Sequence, residues 1–146
     1  MREAVNDHTL TTLSVGLTET IEAIVTPDSV ALFAALSGDC SPLHVDPEFA
    51  LQHGFKGCVA HGMLIGAHVS ALVGTKLPGR HGLMQSCELQ FRAPLVPPET
   101  LSISGEVINI SAGTGQLSIR ITVKNSTGHL LVTGLVKSIL NLEARA

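Results

Sequence analysis

Two short stretches carry the residues whose types and spacing could do chemistry. The first, SGDCSPLH from Ser37 to His44, sets Asp39 and His44 five positions apart across a proline. A carboxylate and an imidazole brought to one small volume could hold a water and exchange its protons near neutral pH. Gly38 ends the preceding helical pattern and Pro42 disfavours helical dihedrals at Ser41, so the spacing predicts that both groups lie on a bent loop. A structural use of the same residues stands beside this one, with Asp39 capping a turn and His44 packing beneath the next helix.

The second stretch, His61-Gly62-Met63, opens a long apolar segment with no Ser, Thr, Asp or Asn immediately before it. A helix that starts this way leaves its first backbone N–H groups in need of partners, and a ligand oxygen could be one. Glycine lets another molecule approach the backbone closely, and the positive end of the helix dipole favours negative charge developing on a carbonyl oxygen. Gly62 could equally serve tight helix-on-sheet packing, with water or a loop carbonyl satisfying the N–H groups. Ser70, eight residues further on, falls about two turns along the same face, where its hydroxyl could reach Asp39 or bond back to its own helix. His44, Asp46 and His61 could form a metal set, but nothing in their spacing is diagnostic, and no metal is expected. His53, His68, His81 and His129 read as structural or exposed.

These residues need elements to position them. From Leu13 to Val25 the odd positions are mainly apolar and many even ones are Ser, Thr or Glu, the two-residue period of a half-buried strand. Thr26-Pro27-Asp28-Ser29 supplies a cap and a first-turn proline for a helix that runs to about Leu36 and stops at Gly38. Asp46-Pro47-Glu48 starts a short helix that Gly54 closes. The segment from His61 to Gly79 is apolar on nearly every face, which describes a helix enclosed by protein. Cys87 to Arg92 and Leu117 to Lys124 alternate as strands, and Leu101 to Ile110 and Leu130 to Leu140 complete the series. Turns are expected at Ser111 to Gly115 and Asn125 to Gly128. This order predicts an α+β fold in which an antiparallel sheet curls round a central helix.

At 146 residues and 45 % apolar content the chain suits one domain spanning 1–146, with 1–10 expected to be poorly ordered. A net charge of −3, no Lys/Arg run, no Trp or Tyr and only four Phe exclude the basic grooves and stacking platforms that bind nucleic acid. The N-terminus has no signal-like apolar core, and the longest apolar run is broken by His68 and Ser70, so no membrane span and a cytoplasmic location are expected. Cys40, Cys58 and Cys87 suggest neither a disulfide framework nor a zinc site and read as small buried residues. The glycosylation sequons at Asn109 and Asn125 carry no meaning without secretion.

Taken together, the residues resemble the MaoC-like, R-specific enoyl-CoA hydratase family. Its motif places an aromatic and an aliphatic residue before G-D-x-N-P-aliphatic-H and, five residues later, Ala or Ser. Phe33, Leu36, Gly38, Asp39, Pro42, Leu43, His44 and Ala50 match it, and Ser41 departs from it, standing where the family has Asn. The likeness continues through His61 to Met63 and the S-x-x-x-G-T-K-L-P-G from Ser70 to Gly79. It implies a hot-dog fold, a homodimer or higher oligomer, and a hydro-lyase of fatty-acyl thioester metabolism. By that resemblance Asp39 and His44 would activate the water that adds to C3 of a trans-2-enoyl thioester, and one of them would return a proton to C2. The Gly62 N–H, flanked by His61 and Met63, would polarise the thioester carbonyl, Ser70 would orient Asp39, and Ser41 would support the loop. No cofactor is implied, since coenzyme A or the phosphopantetheine of an acyl carrier protein arrives with the substrate. A 3-hydroxyacyl-carrier-protein dehydratase, a non-catalytic acyl-thioester-binding module and a thioesterase are the other readings.

Overall fold

The computed structural model describes residues 4–140. The chain runs through β1 (Thr18–Val25), α1 (Pro27–Ser37), α2 (Pro42–Val45), α3 (Pro47–Gln52), α4 (Gly62–Thr75), β2 (Gly82–Phe91), β3 (Glu99–Ser111), β4 (Gln116–Lys124) and β5 (Leu130–Leu140). The strands form one five-stranded sheet in the order β1-β3-β4-β5-β2, with every pairing antiparallel. Its concave face is set by alternation: Leu101, Ile103 and Val107 of β3, Leu117, Ile119, Ile121 and Val123 of β4, and Val132 and Val136 of β5 have no exposed surface. Against them α4 lays Ile65, Val69, Leu72 and Val73. Each such side chain contributes about 1.5–3 kcal/mol by leaving water. At the closest approach a Cβ on Gly105 would meet Leu72 Cδ2 at 3.0 Å, so the helix seats where β3 has no side chain. The α+β arrangement, a sheet around one long helix, is therefore the one the element order predicts.

The local signals act at the residues that carry them. Thr26 and Ser29 form a reciprocal capping box at the start of α1, and Gly38 closes it at φ 78° with its N–H on Ala34 O. The differences have physical causes. The strand expected from Leu13 begins at Thr18, because Thr9 to Leu17 is taken up by two turns, with Leu13 N–H on Thr9 O and Leu17 N–H on Ser14 O. Leu13 still enters the core, from a turn. The segment 4–10, expected to be poorly ordered, makes specific contacts: Asn6 N–H donates to Thr75 O, Arg80 N–H donates to Asn6 O, and Asp7 bridges Gly79; residues 1–3 lie outside the described residues.

Two further expectations are corrected. Helix α4 is enclosed on one side only: Met63 is 61 % exposed, and Ala67, Ser70, Ala71 and Gly74 share its open face. The cysteines are not buried, Cys40 and Cys87 being exposed and Cys58 intermediate. Cys87 pairs with Val136, whose side chain is on the concave face, yet it is exposed. Among the described residues, no helix is long and apolar enough to cross a membrane.

Candidate active site

The left-handed Gly38 that ends α1 turns the chain so that Asp39 faces the start of α4. Asp39 Oδ1 accepts the Ser41 N–H at 3.2 Å, and its own N–H donates to Ser37 Oγ at 3.2 Å. Pro42 then starts the single turn α2, so His44 stands on a short helix rather than on an open loop as its spacing suggested. Proline suits that first position because its missing N–H would have been unpaired anyway. From there the His44 ring meets Val59 O through Nδ1 at 2.6 Å. A carbonyl can only accept, so Nδ1 carries the proton and Nε2 presents a lone pair.

That lone pair faces Asp39 Oδ2 at 3.9 Å. The gap is too long for a direct hydrogen bond and is of the size that one water at about 2.8 Å from each atom spans, donating one hydrogen to each. Asp39 is half exposed and the His44 side chain 14 % exposed, so the pair opens to solvent on the carboxylate side.

His61 lies under both groups. Its ring is stacked on His44 with centroids 3.9 Å apart and meets the Phe33 ring at a tilt of 54° with centroids 5.0 Å apart, and its Nε2–H donates to Asp39 O at 2.8 Å. The residue is 2 % exposed, and its Nδ1 has no partner among the described residues. It is also the N-cap of α4 and makes no side-chain cap bond. The first N–H groups of the helix, on Gly62 and Met63, have no hydrogen-bond partner among the described residues and could take a ligand oxygen. They open into a cleft of about 510 Å³ that Asp39, His61, Gly62, Met63, Phe91 and Arg92 help to line. A Cβ on residue 62 would lie 2.9 Å from Phe91 Cζ, so glycine here serves both packing and access.

Asp39, His44, His61, Gly62 and Met63 are thus brought together. Ser70 is not: it sits on the open face of α4, absent from the cleft, and among the described residues it makes neither a bond to Asp39 nor a back-bond to its own helix. The metal set of His44, Asp46 and His61 does not assemble, because Asp46 caps α3 through Glu48 N–H and Phe49 N–H. The three side chains whose ligand atoms fall within 4.8 Å of one another are Asp39, His44 and His61. Burial holds the half-buried His68 imidazole below its ordinary value, which keeps it neutral in the helix. Residues that sequence reasoning missed are Val59, whose carbonyl sets the His44 tautomer, and Phe91, whose ring walls the cleft. Any residue carries a carbonyl, so Val59 left no signal, whereas the exposed aromatic at the end of a strand was a legible cue.

The amino-acid pattern, read across the whole chain, matches the family model described as MaoC like domain over residues 8–129. The chain belongs to the MaoC-like family. Among its relatives is the (R)-specific enoyl-CoA hydratase of Aeromonas caviae, 34 % identical over 105 residues, which are 72 % of this chain and 78 % of that protein. The 3-hydroxybutyryl-CoA dehydratase of Methylorubrum extorquens is 35 % identical over 98 residues, 67 % of this chain and 62 % of that one. The unliganded R-hydratase of Pseudomonas aeruginosa superposes with a TM-score of 0.84 at 31 % identity, covering 89 % of this chain and 83 % of its own. As a MaoC-like protein the chain has the hot-dog fold of these neighbours, with α4 as the central helix and the Phe33 ring of α1 and the His44 ring of α2 packed on its N-cap His61.

The structure gives Ser41, the one departure from the motif the chain resembles, a definite meaning. The loop holds Asp39 through the backbone N–H of residue 41, which Ser and Asn share. Ser41→Ala is therefore expected to keep turnover within about threefold, the loss of a solvent-facing hydroxyl being a small effect. Steady-state kinetics of that single variant check it, and a loss comparable to that of an Asp39 variant would contradict it.

Proposed function

We propose that this protein catalyses the R-specific, reversible hydration of trans-2-enoyl-CoA to R-3-hydroxyacyl-CoA. The observation that carries the reading is the pair of facing bases, His44 Nε2 and Asp39 Oδ2 at 3.9 Å, beside the uncapped N–H groups of α4. A water between the bases gives up a proton as its oxygen bonds to C3. The thioester carbonyl takes the hydrogen bond of Gly62 N–H, which stabilises the negative charge that develops as electrons leave the double bond. The pair then returns a proton to C2, so the elements of one water are added and none are lost. Addition and protonation come from the same side, because one pair, its basic atoms 3.9 Å apart, serves both steps. Running backwards, the same groups dehydrate the R alcohol. The R sense is supported by relatives that are (R)-specific enoyl-CoA hydratases.

The other half of the reading is the assembly. Strand β2 is an edge strand, and the concave-facing Cys87, Leu89 and Phe91 continue the open face of α4. An uncovered apolar face beside an unpaired strand edge suits a second copy of the chain, so the enzyme works as a homodimer. Sedimentation should give twice the 15.3 kDa chain mass, and Cys87→Asp should shift it to the monomer; a monomeric wild type would contradict this. Free cysteines suit a reducing compartment and support a cytoplasmic location.

The reaction is tested by adding protein to crotonyl-CoA and following the ultraviolet absorbance of the enoyl thioester. Loss of absorbance without release of free thiol supports the hydratase. Thiol release marks a thioesterase, and binding without either change marks an acyl-thioester-binding module.

A further inference from the structure

We infer that His61 is the positioning residue that joins the two halves of the site, fixing Asp39 and His44 relative to the N–H groups of α4. The inference rests on the hydratase reading above. Two contacts and one covalent link carry it. Through Nε2–H the ring holds the main-chain oxygen of Asp39 at 2.8 Å, so the carboxylate loop is tied at a point its own side chain does not use. Its face supports the His44 ring at 3.9 Å, opposing tilt of the imidazole about its one bond to Val59 O. As the residue immediately before Gly62, it carries both groups on the peptide that leads into the carbonyl-binding N–H. Phe33 packs on the ring at 5.0 Å, and with 2 % exposure His61 has no freedom to wander.

A joint of this kind matters because the acid–base pair and the electrophile lie on different elements. Asp39 follows α1, His44 is on α2, and Gly62 begins α4. No other side chain bonds or stacks on both Asp39 and His44 among the described residues. The pattern of partners also specifies the tautomer: the proton is on Nε2, where an acceptor waits, and Nδ1, without a donor, is bare.

Two variants separate the contacts. His61→Gln keeps an N–H donor at about the same reach and loses the ring; His61→Phe keeps the ring and loses the donor. With crotonyl-CoA, His61→Phe is expected to lower kcat about 30-fold with KM within about twofold, the scale of a small misplacement of reacting groups, and His61→Gln to recover most of it. A merely structural loss would multiply with any other, so both backgrounds are measured. In Asp39→Asn, His61→Phe should cost nothing further, because the group it positions is already gone. Backbone amide spectra give a reading that needs no turnover: resonances of residues 39–45 should move in His61→Phe and return in His61→Gln. The inference is overturned if folded His61→Phe turns over within twofold of wild type, if its loss repeats in full in Asp39→Asn, or if those amides do not move. A wild type that hydrates no enoyl thioester would sink the hydratase reading instead, while the spectra still decide whether His61 holds the loop.

Discussion

Asp39→Asn should lower hydration of crotonyl-CoA by about a thousandfold, within the range that general acid–base groups contribute, and His44→Ala should do the same. The amide replaces the carboxylate atom for atom, so Ser41 N–H keeps its acceptor and the loop its shape. What is lost is the charge and one of the two lone pairs that take the hydrogens of a bridging water. Removing His44 takes away the other lone pair and leaves Asp39 alone. Neither residue belongs to the apolar core, so thermal unfolding should move little in Asp39→Asn. Because the two act as a unit, the double variant should be scarcely worse than either single one. Rates near wild type in both would remove the mechanism.

The second large effect concerns the electrophilic half. Gly62→Pro deletes one N–H donor at a position that otherwise accepts proline, the first residue of a helix. The preceding His61 has φ −59° and ψ 135°, an extended conformation that a following proline prefers. The obstacle is the Phe91 ring, 2.9 Å from where a Cβ would stand, so the comparison is made in Phe91→Ala. In that background Gly62→Pro is expected to lower kcat about 100-fold, the cost of removing one oxyanion donor. Gly62→Ala in the same background keeps the N–H and should stay within about threefold of Phe91→Ala, the added methyl having been given room. Equal losses for proline and alanine would show that residue 62 acts through packing alone.

Much of the fold is legible in the sequence. The helix caps at Thr26, Gly38 and Asp46, the strand alternation in β3 to β5 and the uncapped start at Gly62 are local rules, and local rules are written in local residues. The alternation of β1 has the right phase and the wrong start, since Leu13 keeps its apolar partner while turns at Thr9 and Ser14 remove it from the strand. The apolar run of α4 suggests enclosure on all sides. One chain covers only one side, and the open face is the one that the proposed homodimer would bury.

At the site, the types and spacing of Asp39, His44 and Gly62 are enough to name the chemistry, but not the contacts that orient it. His61 reads from its position as a neighbour of the substrate; the structure sets it in the cleft lining and also beneath the reacting pair. Its partners, a main-chain oxygen and a ring face, follow from how α1, α2 and α4 meet. Ser70 is the converse: its place on the helix is as expected, and its expected bond to Asp39 is not made within the described residues. Hydrogen bonds between distant segments depend on tertiary geometry, for which a single sequence holds no period.

The central claim is tested most directly by the configuration of the product. Wild-type protein incubated with crotonyl-CoA in water should yield 3-hydroxybutyryl-CoA that chiral analysis shows to be the R enantiomer alone. An S or racemic alcohol would contradict the account, because water delivered by one fixed pair to one face of a held enoyl thioester gives a single configuration, and that configuration is R.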